Sequence, residues 1–398
     1  MSDKKPPTDN KIKNKVIIFG CGEKFVYYRY MFGKIPNDGD TIYEYACNNL
    51  AEFLSKHKFS RFLHRINFSE RLKKIIPYRL KARWVKKEFR TKIGKNESAL
   101  FFVLQNNPRA RDKEFLRALK YCYKNSKTVF YITNLIETHP EDIEYLKNIY
   151  DEVASFSEND AAEYNFIYRP FCFPHPTAKI INDNHAHGEY VPDERTTNEY
   201  VRNKCALGEH TLGELAENPA ISLAKDSGKE KSFGDVFFCG QNKNRAELIL
   251  SIAKNCNERG LKADFFIIDE KADIINARIK KENISGVTCV NHLIHYDEVY
   301  KHMLAADCFL ELVPFGIKGA STLRFIEAVA LGKKLLTNNH KAVDSPLYSP
   351  TQTQVFENAE NVDYTWLKIQ KGEKEKFCNP DCVSPERFFA ELRAAVFK

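Results

Sequence analysis

The chain has 398 residues, of which 43% are hydrophobic and 13% are aromatic. This length suffices for two domains with packed cores, and the composition excludes a globally disordered chain. The net charge is +8, and the 11 cysteines are scattered along the chain, which argues against a disulfide scaffold.

The first residues form a polar segment. Residues 1–11 lack the apolar core of a signal peptide. Apolar runs elsewhere in the chain are shorter than the roughly 20 residues of a membrane span. We therefore expect a disordered tail on a cytoplasmic protein.

Residues 12–176 are expected to form a first domain of α/β type. Strands are predicted at 16–19, 99–104, 128–133 and 153–156, with helices at 113–123 and 141–150. Strands that alternate with helices indicate a parallel sheet covered on both faces. The turn Gly20-Cys21-Gly22 follows the first strand. Because ligands bind beyond the carboxyl ends of such strands, loops 105–107 and 134–139 are candidate ligand-binding loops.

A basic and apolar segment, residues 61–95, interrupts this pattern. It holds thirteen Lys or Arg and two Glu, so its net charge is +11 in a chain that carries +8 as a whole. Apolar and aromatic residues are interleaved with the basic ones, and Pro77 divides the segment into two helices at most. An anionic membrane surface is the favoured partner. A plain solvated face is the second alternative, and RNA is the least favoured.

Residues 177–232 are polar and show no clear period. Such a composition is typical of a linker or a mobile insertion. His185, His187 and His210 lie in this tract, where we expect no specific role for them.

Two further patterns invite a metal hypothesis. Asp38-Gly39-Asp40 follows a polar stretch and reads as a turn, not as the end of an apolar strand. Cys378 and Cys382 have no second cysteine pair nearby to complete four zinc ligands. Neither pattern predicts a metal site, and we expect no cofactor.

Residues 233–382 are expected to form a second domain of the same type, followed by a C-terminal segment, 383–398. Strands are predicted at 235–240, 263–268, 287–290, 308–312 and 334–337, and a final helix at 385–396. The stretch after residue 340 is expected to be irregular.

The loop after the first strand of the second domain contains Gly240, Lys243 and Arg245. Two cations therefore lie at the N-terminus of the next helix. The free amides of such a terminus favour an anion, and we expect a diphosphate to be bound there.

The stretch 319–337 combines a loop, a helix and a strand. Small residues at its start allow a ligand to approach the backbone, and Ser321 or Thr322 is a suitable N-cap. Arg324 and Glu327 lie three residues apart, on one side of the helix. By spacing alone they could equally be a surface ion pair.

This stretch resembles the donor-site region of GT-B glycosyltransferases, and more narrowly of capsule and lipopolysaccharide biosynthesis transferases. The signature reads Thr322-Leu323-Arg324-Phe325-Ile326-Glu327-Ala328, followed by Lys334-Leu335-Leu336-Thr337-Asn338-Asn339. The resemblance covers residues 234–340. It implies that Glu327 bonds the ribose of a nucleotide-sugar donor. Gly319 stands where retaining members often carry a second Glu, so the stereochemical course stays open.

The resemblance implies two Rossmann-like domains that face each other across a cleft. The donor would be bound by Gly240, Lys243, Arg245, Gly319, Ser321, Thr322, Arg324 and Glu327. The reaction would move a sugar, without a metal, from a nucleotide-sugar to a saccharide or lipid-linked acceptor in cell-surface polysaccharide biosynthesis. Asp40, Glu137 and His139 are formal candidates for a general base, and the sequence does not choose among them.

Two alternatives stay open. A non-catalytic, transferase-like module could hold RNA or anionic lipid through residues 61–95, and a sugar-nucleotide epimerase would share the architecture. The transferase hypothesis makes two demands on the fold. The turns near residues 240 and 320 must lie together, and the Glu327 carboxylate must not point into a dry interior.

Overall fold

The computed structural model describes residues 14–19, 28, 31–32, 35, 41–47, 85–86, 89, 93, 97–104, 110–133, 140–174, 234–313, 321–368 and 378–398. Within these ranges the chain forms two sheets of six parallel strands each, together with helices. The predicted α/β fold with two parallel sheets is thereby confirmed. The tail 1–11, the tract 177–232, Asp38-Gly39-Asp40 and most of the basic segment 61–95 lie outside the described residues.

The first sheet has the strand order β2-β1-β3-β4-β5-β6. Its strands are β1 (Asn14–Phe19), β2 (Thr41–Cys47), β3 (Ala99–Leu104), β4 (Lys127–Ile132), β5 (Glu152–Ser155) and β6 (Ile167–Tyr168). The helices among them are α1 (Ala110–Cys122), α2 (Pro140–Ile149) and α3 (Glu158–Tyr164). Every residue of β3 is buried, and alternate residues enter two different hydrophobic cores, as expected for a central strand covered on both faces.

The second sheet has the strand order β12-β11-β10-β7-β8-β9. Its strands are β7 (Val236–Gln241), β8 (Ala263–Ile268), β9 (Val287–Val290), β10 (Cys308–Glu311), β11 (Lys334–Thr337) and β12 (Thr353–Val355). Its helices are α4 (Ala246–Glu258), α5 (Ala272–Lys281), α6 (Tyr296–Ala305), α7 (Leu323–Leu331) and α8 (Tyr364–Lys368). The strands predicted in this half all occupy their predicted positions to within about one residue at each end.

Three strands and one long helix were not predicted from the sequence: β2, β6, β12 and α5. We expected the stretch after residue 340 to be irregular. This expectation is wrong, because the stretch contains a 3₁₀ helix at His340–Asp344 and the strand β12. β12 has three residues, too few for a periodic pattern. It exists because β11 offers it a hydrogen-bonding partner, with Leu335 N donating to Gln352 O at 2.8 Å and Phe356 N to Thr337 O at 2.9 Å.

The last helix, α9 (Pro385–Val396), packs against the first sheet. The rings of Phe388 and Phe389 lie 5.7 and 5.0 Å from that of Phe102 on β3. Arg393 Nη1 donates to Lys15 O at 3.1 Å, which ties the end of the helix to β1. The chain therefore returns from the second sheet to the first, and aromatic packing holds α9 against the first sheet.

Candidate functional site

The loops that follow β7 and β10 lie at one edge of the second sheet. β10 pairs directly with β7, with Cys308 opposite Val236 and Phe309 opposite Phe237. In a parallel sheet the carboxyl ends of neighbouring strands meet at the same edge. Arg245, after β7, donates from Nη1 to the carbonyl of Leu312, after β10. The described flanks of the two turns, Arg245 and Leu312, therefore lie together, while residues 314–320 of the second turn lie outside the described residues.

Arg245 is placed differently from the expectation. Its guanidinium donates to three backbone carbonyls, those of Gln241, Asn242 and Leu312, with Nε to Asn242 O at 3.0 Å. Burial lowers the pKa of Arg245. The side chain therefore fastens the two loops together, and its hydrogen-bonding capacity is largely used within the protein.

Lys243 and Gly240 retain more access to solvent. Lys243 is exposed and sits in the left-handed region, with φ +42°. Gly240 is half-buried near the end of β7, where an added Cβ would come within 3.3 Å of the Phe238 ring. Of the two cations predicted after β7, Lys243 is the one whose side chain is exposed to solvent, where a dissolved anion can reach it. Gly319 lies outside the described residues.

Thr322 is the N-cap of α7 and is one of the two candidates, Ser321 and Thr322, that the sequence offered for this position. Its Oγ1 accepts from Phe325 N at 3.2 Å and donates to Glu311 Oε1. The other Glu311 oxygen, Oε2, accepts from Thr337 Oγ1 at 2.5 Å. Ser321 is buried, and its Oγ lies 2.9 Å from Ser345 Oγ. The start of α7 is therefore fixed to the ends of β10 and β11 through side chains.

Arg324 and Glu327 form an ion pair in the interior, with Arg324 Nη1 at 2.9 Å from Glu327 Oε2. The Glu327 side chain is only 1% exposed, and Arg324 lies 5.7 Å from the ring centres of Phe237 and Phe309. Tyr296 Oη donates to Glu327 Oε1. The side of α7 that carries this pair faces the sheet, so the pair is not the surface ion pair that spacing alone allowed. The Glu327 carboxylate is buried, and the second demand of the transferase hypothesis, that this carboxylate must not point into a dry interior, is therefore not met in this structure.

The ion pair leaves polar atoms incompletely satisfied. Among the described residues, Arg324 Nη1 and Glu327 Oε2 are buried without a well-aligned hydrogen bond, although they lie within ion-pair distance of each other. Such atoms are rare in native interiors and are enriched where a structure must accommodate a ligand or strain.

Burial sets the protonation of the two carboxyl groups. It raises the pKa of Glu311 to about 7, against the hydrogen bond from Thr337 and the charge of Arg324. It also raises the pKa of Glu327, while Arg324 and the Tyr296 hydroxyl oppose that change. Glu311 is therefore close to half protonated near neutral pH, which is unusual for a glutamate.

Three residues at this edge were not singled out by the sequence. Glu311 lies within the predicted strand 308–312, where a Glu inside an otherwise apolar strand is a usable signal. Tyr296 has no such signal, because a tyrosine at a helix start is unremarkable. Tyr168, at the end of β6 in the first sheet, has a pKa that burial chiefly raises and that the nearby Ser321 side chain lowers.

The described residues hold no cluster of three or more His, Cys, Asp or Glu that could bind a metal. Among the helices described here, each is too short or too polar to cross a bilayer. Asp40, Glu137 and His139 lie outside the described residues.

No protein-family model and no curated protein matches the chain. Several solved structures are similar to it. An E. coli structure described as trehalose-6-phosphate bound with UDP-2-fluoro glucose has 11% identity over 97% of this chain and 99% of its own, with a TM-score of 0.47. A glycosyltransferase from Rickettsia africae has 12% identity over 97% and 98%, also with a TM-score of 0.47.

A third similar structure is a UDP-GlcNAc 2-epimerase from Neisseria meningitidis bound to UDP-GlcNAc. It has 12% identity over 96% of this chain and 99% of its own, with a TM-score of 0.47. A glycosyltransferase and an epimerase are thus both among the similar structures.

Proposed function

We propose that the chain is a glycosyltransferase whose nucleotide-sugar donor binds at the carboxyl ends of β7, β10 and β11. The observation that carries the proposal is the cluster of ionisable side chains Glu311, Arg324 and Glu327 at the start of α7, in which both glutamates are buried and the Arg324 side chain is 19% exposed. Buried charges are costly, and apolar residues of similar volume often stabilise a core as well or better. Their presence at the ligand end of a parallel sheet, beside a helix N-terminus, supports a binding role.

The donor diphosphate would lie at the N-terminus of α7. The first-turn amides of a helix have no partners within the helix, and its dipole favours an anion. Lys243 is exposed on the neighbouring loop and would add a full positive charge. These groups would stabilise charge that develops on the nucleotide diphosphate as it leaves. Arg245 would support this arrangement indirectly, because it holds the loop that carries Lys243.

The donor ribose would bind Glu327 in place of Tyr296. The Tyr296 hydroxyl now donates to Glu327 Oε1, and a ribose hydroxyl is the same kind of donor. Exchange of one for the other would keep the buried carboxylate paired, which avoids the cost of an unsatisfied charge. Tyr296 would then have to move away from Glu327 when the donor enters.

The acceptor would be a saccharide or a lipid-linked saccharide of lipopolysaccharide or capsule biosynthesis, and transfer would need no metal. The support for a membrane-bound acceptor is the net charge of +11 in residues 61–95. Each basic residue near an anionic membrane surface contributes about 1 kcal/mol of attraction. The enzyme would then be cytoplasmic and peripheral at the inner face of the membrane.

A thermal-shift experiment tests the donor site. The melting temperature would be measured with UDP, GDP and their sugar conjugates, for the natural chain and for Glu327→Gln and Lys243→Ala. We expect a rise in melting temperature with one nucleotide, and a smaller rise in both variants. Lys280→Ala, at an exposed position of α5, is the matched control for Lys243. A nucleotide response that is equal in all four proteins would contradict the proposed site.

Product analysis distinguishes the proposed transferase from its alternatives. A transferase releases free nucleoside diphosphate in step with acceptor glycosylation, whereas an epimerase converts the nucleotide-sugar without any acceptor. A chain that responds only to RNA or to anionic vesicles, and to no nucleotide, would support the non-catalytic alternative.

A further inference from the structure

Two cysteines lie where the chain passes from the second sheet to α9. Cys378 and Cys382 are both half-buried and reduced; Cys378 precedes a short 3₁₀ helix, Pro380–Val383, and Cys382 lies within it. Cys382 N donates to Asn379 O at 3.0 Å, which closes the turn tightly. Cys378 Sγ donates to Asn379 O at 3.9 Å, inside the same turn, and the neighbouring Cys382 thiol contributes to the raised pKa of Cys378.

A guanidinium lies against one of the two thiols. Arg387, in the first turn of α9, is exposed, and its Nη1 donates to Cys382 Sγ at 3.6 Å. A positive charge beside a sulfur stabilises the thiolate, which is the reactive form of cysteine. Burial and the neighbouring thiol raise the pKa of Cys378, while Arg387 opposes them. The two sulfurs therefore differ in their surroundings: the guanidinium contacts Cys382 Sγ, which favours Cys382 as the attacking sulfur and Cys378 as the resolving one.

We propose that Cys378 and Cys382 are a reversible dithiol and disulfide site, oxidised by a low-molecular-weight disulfide such as oxidised glutathione. The Cys382 thiolate attacks one sulfur of that disulfide, forms a mixed disulfide and releases the first small thiol. Cys378 then loses its proton and attacks Cys382 Sγ, which forms the internal disulfide and releases the second small thiol. Two protein thiols are oxidised, one small disulfide is reduced, and the two protons pass to the released thiols.

This site is connected to both sheets. Cys378 N donates to Gln352 Oε1 at 3.1 Å, and Gln352 Nε2 donates to Lys333 O at 3.0 Å, just beyond the end of α7. On the other side, Phe173 N donates to Val383 O at 2.8 Å. A disulfide would thus restrain the turn that connects α7 with the residues following the first sheet. The inference stands apart from the proposed function, because it uses none of the donor-binding residues.

The sequence provides a direct assay. Trypsin cleaves after Lys376 and Arg387, so both cysteines fall in one peptide, FCNPDCVSPER, with no other cysteine. The folded full-length chain would be incubated with oxidised and reduced glutathione at set ratios, then alkylated and digested. We expect this peptide to lose two hydrogens and to escape alkylation as the ratio rises, and to be restored by dithiothreitol. A peptide that stays fully alkylated, or that stops at the glutathione adduct, would overturn the proposal.

Two variants test the roles of the individual groups. In Cys378→Ser we expect the Cys382 adduct with glutathione to accumulate, because the resolving thiol is gone. In Arg387→Gln we expect oxidation to slow severalfold. Arg387 also pairs with Glu391 through Nε at 2.8 Å, so Glu391→Gln is the matched control that removes this pair and keeps the guanidinium. Equal slowing in both variants would show that helix pairing, not thiolate stabilisation, sets the rate, and would contradict the role of Arg387.

Discussion

The hydroxyl of Tyr296, the first residue of α6, donates a hydrogen bond to Glu327 Oε1 in the second turn of α7. This bond satisfies one oxygen of a carboxylate that has almost no contact with solvent. Under the proposed function, a donor hydroxyl would need the same position. The contact would then stabilise the free protein and compete with the proposed ligand.

Removal of this hydroxyl separates the two effects. In Tyr296→Phe we expect the free energy of unfolding to fall by about 1 to 3 kcal/mol, because the buried carboxylate loses a hydrogen bond. If a ribose takes the vacated place, the variant should bind the nucleotide more tightly than the natural chain. Chemical denaturation and nucleotide titration measure the two quantities. Tyr300→Phe, one turn further along α6, is the control, and weaker nucleotide binding in Tyr296→Phe would refute the competition.

The ion pair of Arg324 and Glu327 supports a second prediction. Arg324→Met should lower the free energy of unfolding by roughly 3 to 5 kcal/mol, because it leaves a buried carboxylate without its counter-charge. Arg324→Met combined with Glu327→Leu should recover much of that loss. Nucleotide binding should be lost in both variants. If the double variant is restored in stability and still binds the nucleotide, the pair is purely structural.

The raised pKa of Glu311 predicts that the stability of the folded chain depends on pH. Its pKa is raised from 4.5 to about 7 in the folded chain, so between these values the folded state holds a proton that the unfolded state has lost. Stability should therefore fall as pH rises from 4.5 to 7, by roughly 3 kcal/mol at about 1.4 kcal/mol per pKa unit. Above pH 7 this contribution should level off.

Glu311→Gln is the test of this assignment. Denaturant unfolding would be followed between pH 5 and pH 8 for both proteins. We expect the fall in stability over that range to be much smaller in the variant, since glutamine does not titrate. Glu327, whose pKa is also raised, would leave a residual slope of the same sign. Identical slopes in the two proteins would mean that Glu311 is not the titrating group.

The two cations after β7 should respond differently to substitution. Lys243→Ala should leave the free energy of unfolding within about 0.5 kcal/mol of the natural value, as is usual for exposed positions. It should nevertheless weaken nucleotide binding. Arg245→Met should lower stability by more than 1 kcal/mol, because it frees the carbonyls of Gln241 and Leu312. Denaturation measures the free energy of unfolding, and nucleotide titration at two salt concentrations measures binding. If Arg245 were the ligand-binding cation, Arg245→Met would weaken nucleotide binding and Lys243→Ala would not.

Local patterns predicted much of the fold. Continuous apolar runs such as 99–104 and 265–268 correctly indicated strands of parallel sheets. Gly332 ends α7 in the left-handed region, at φ +59°, as the C-cap pattern indicates. The strands that were missed, β2, β6 and β12, all lie at sheet edges. Such strands depend on a neighbouring strand more than on their own residues, so their sequences have no period to detect.

The composition of the candidate site was also partly predictable. The sequence alone determined which loops follow β7 and β10, that Thr322 could cap α7, and that Arg324 and Glu327 share one side of a helix, because these are consequences of local spacing. Only the tertiary structure decided that this side faces the sheet, that Arg245 fastens two loops, and that Tyr296 pairs with Glu327. Spacing fixes which residues of one helix are neighbours, whereas burial and partners depend on segments far away in the chain.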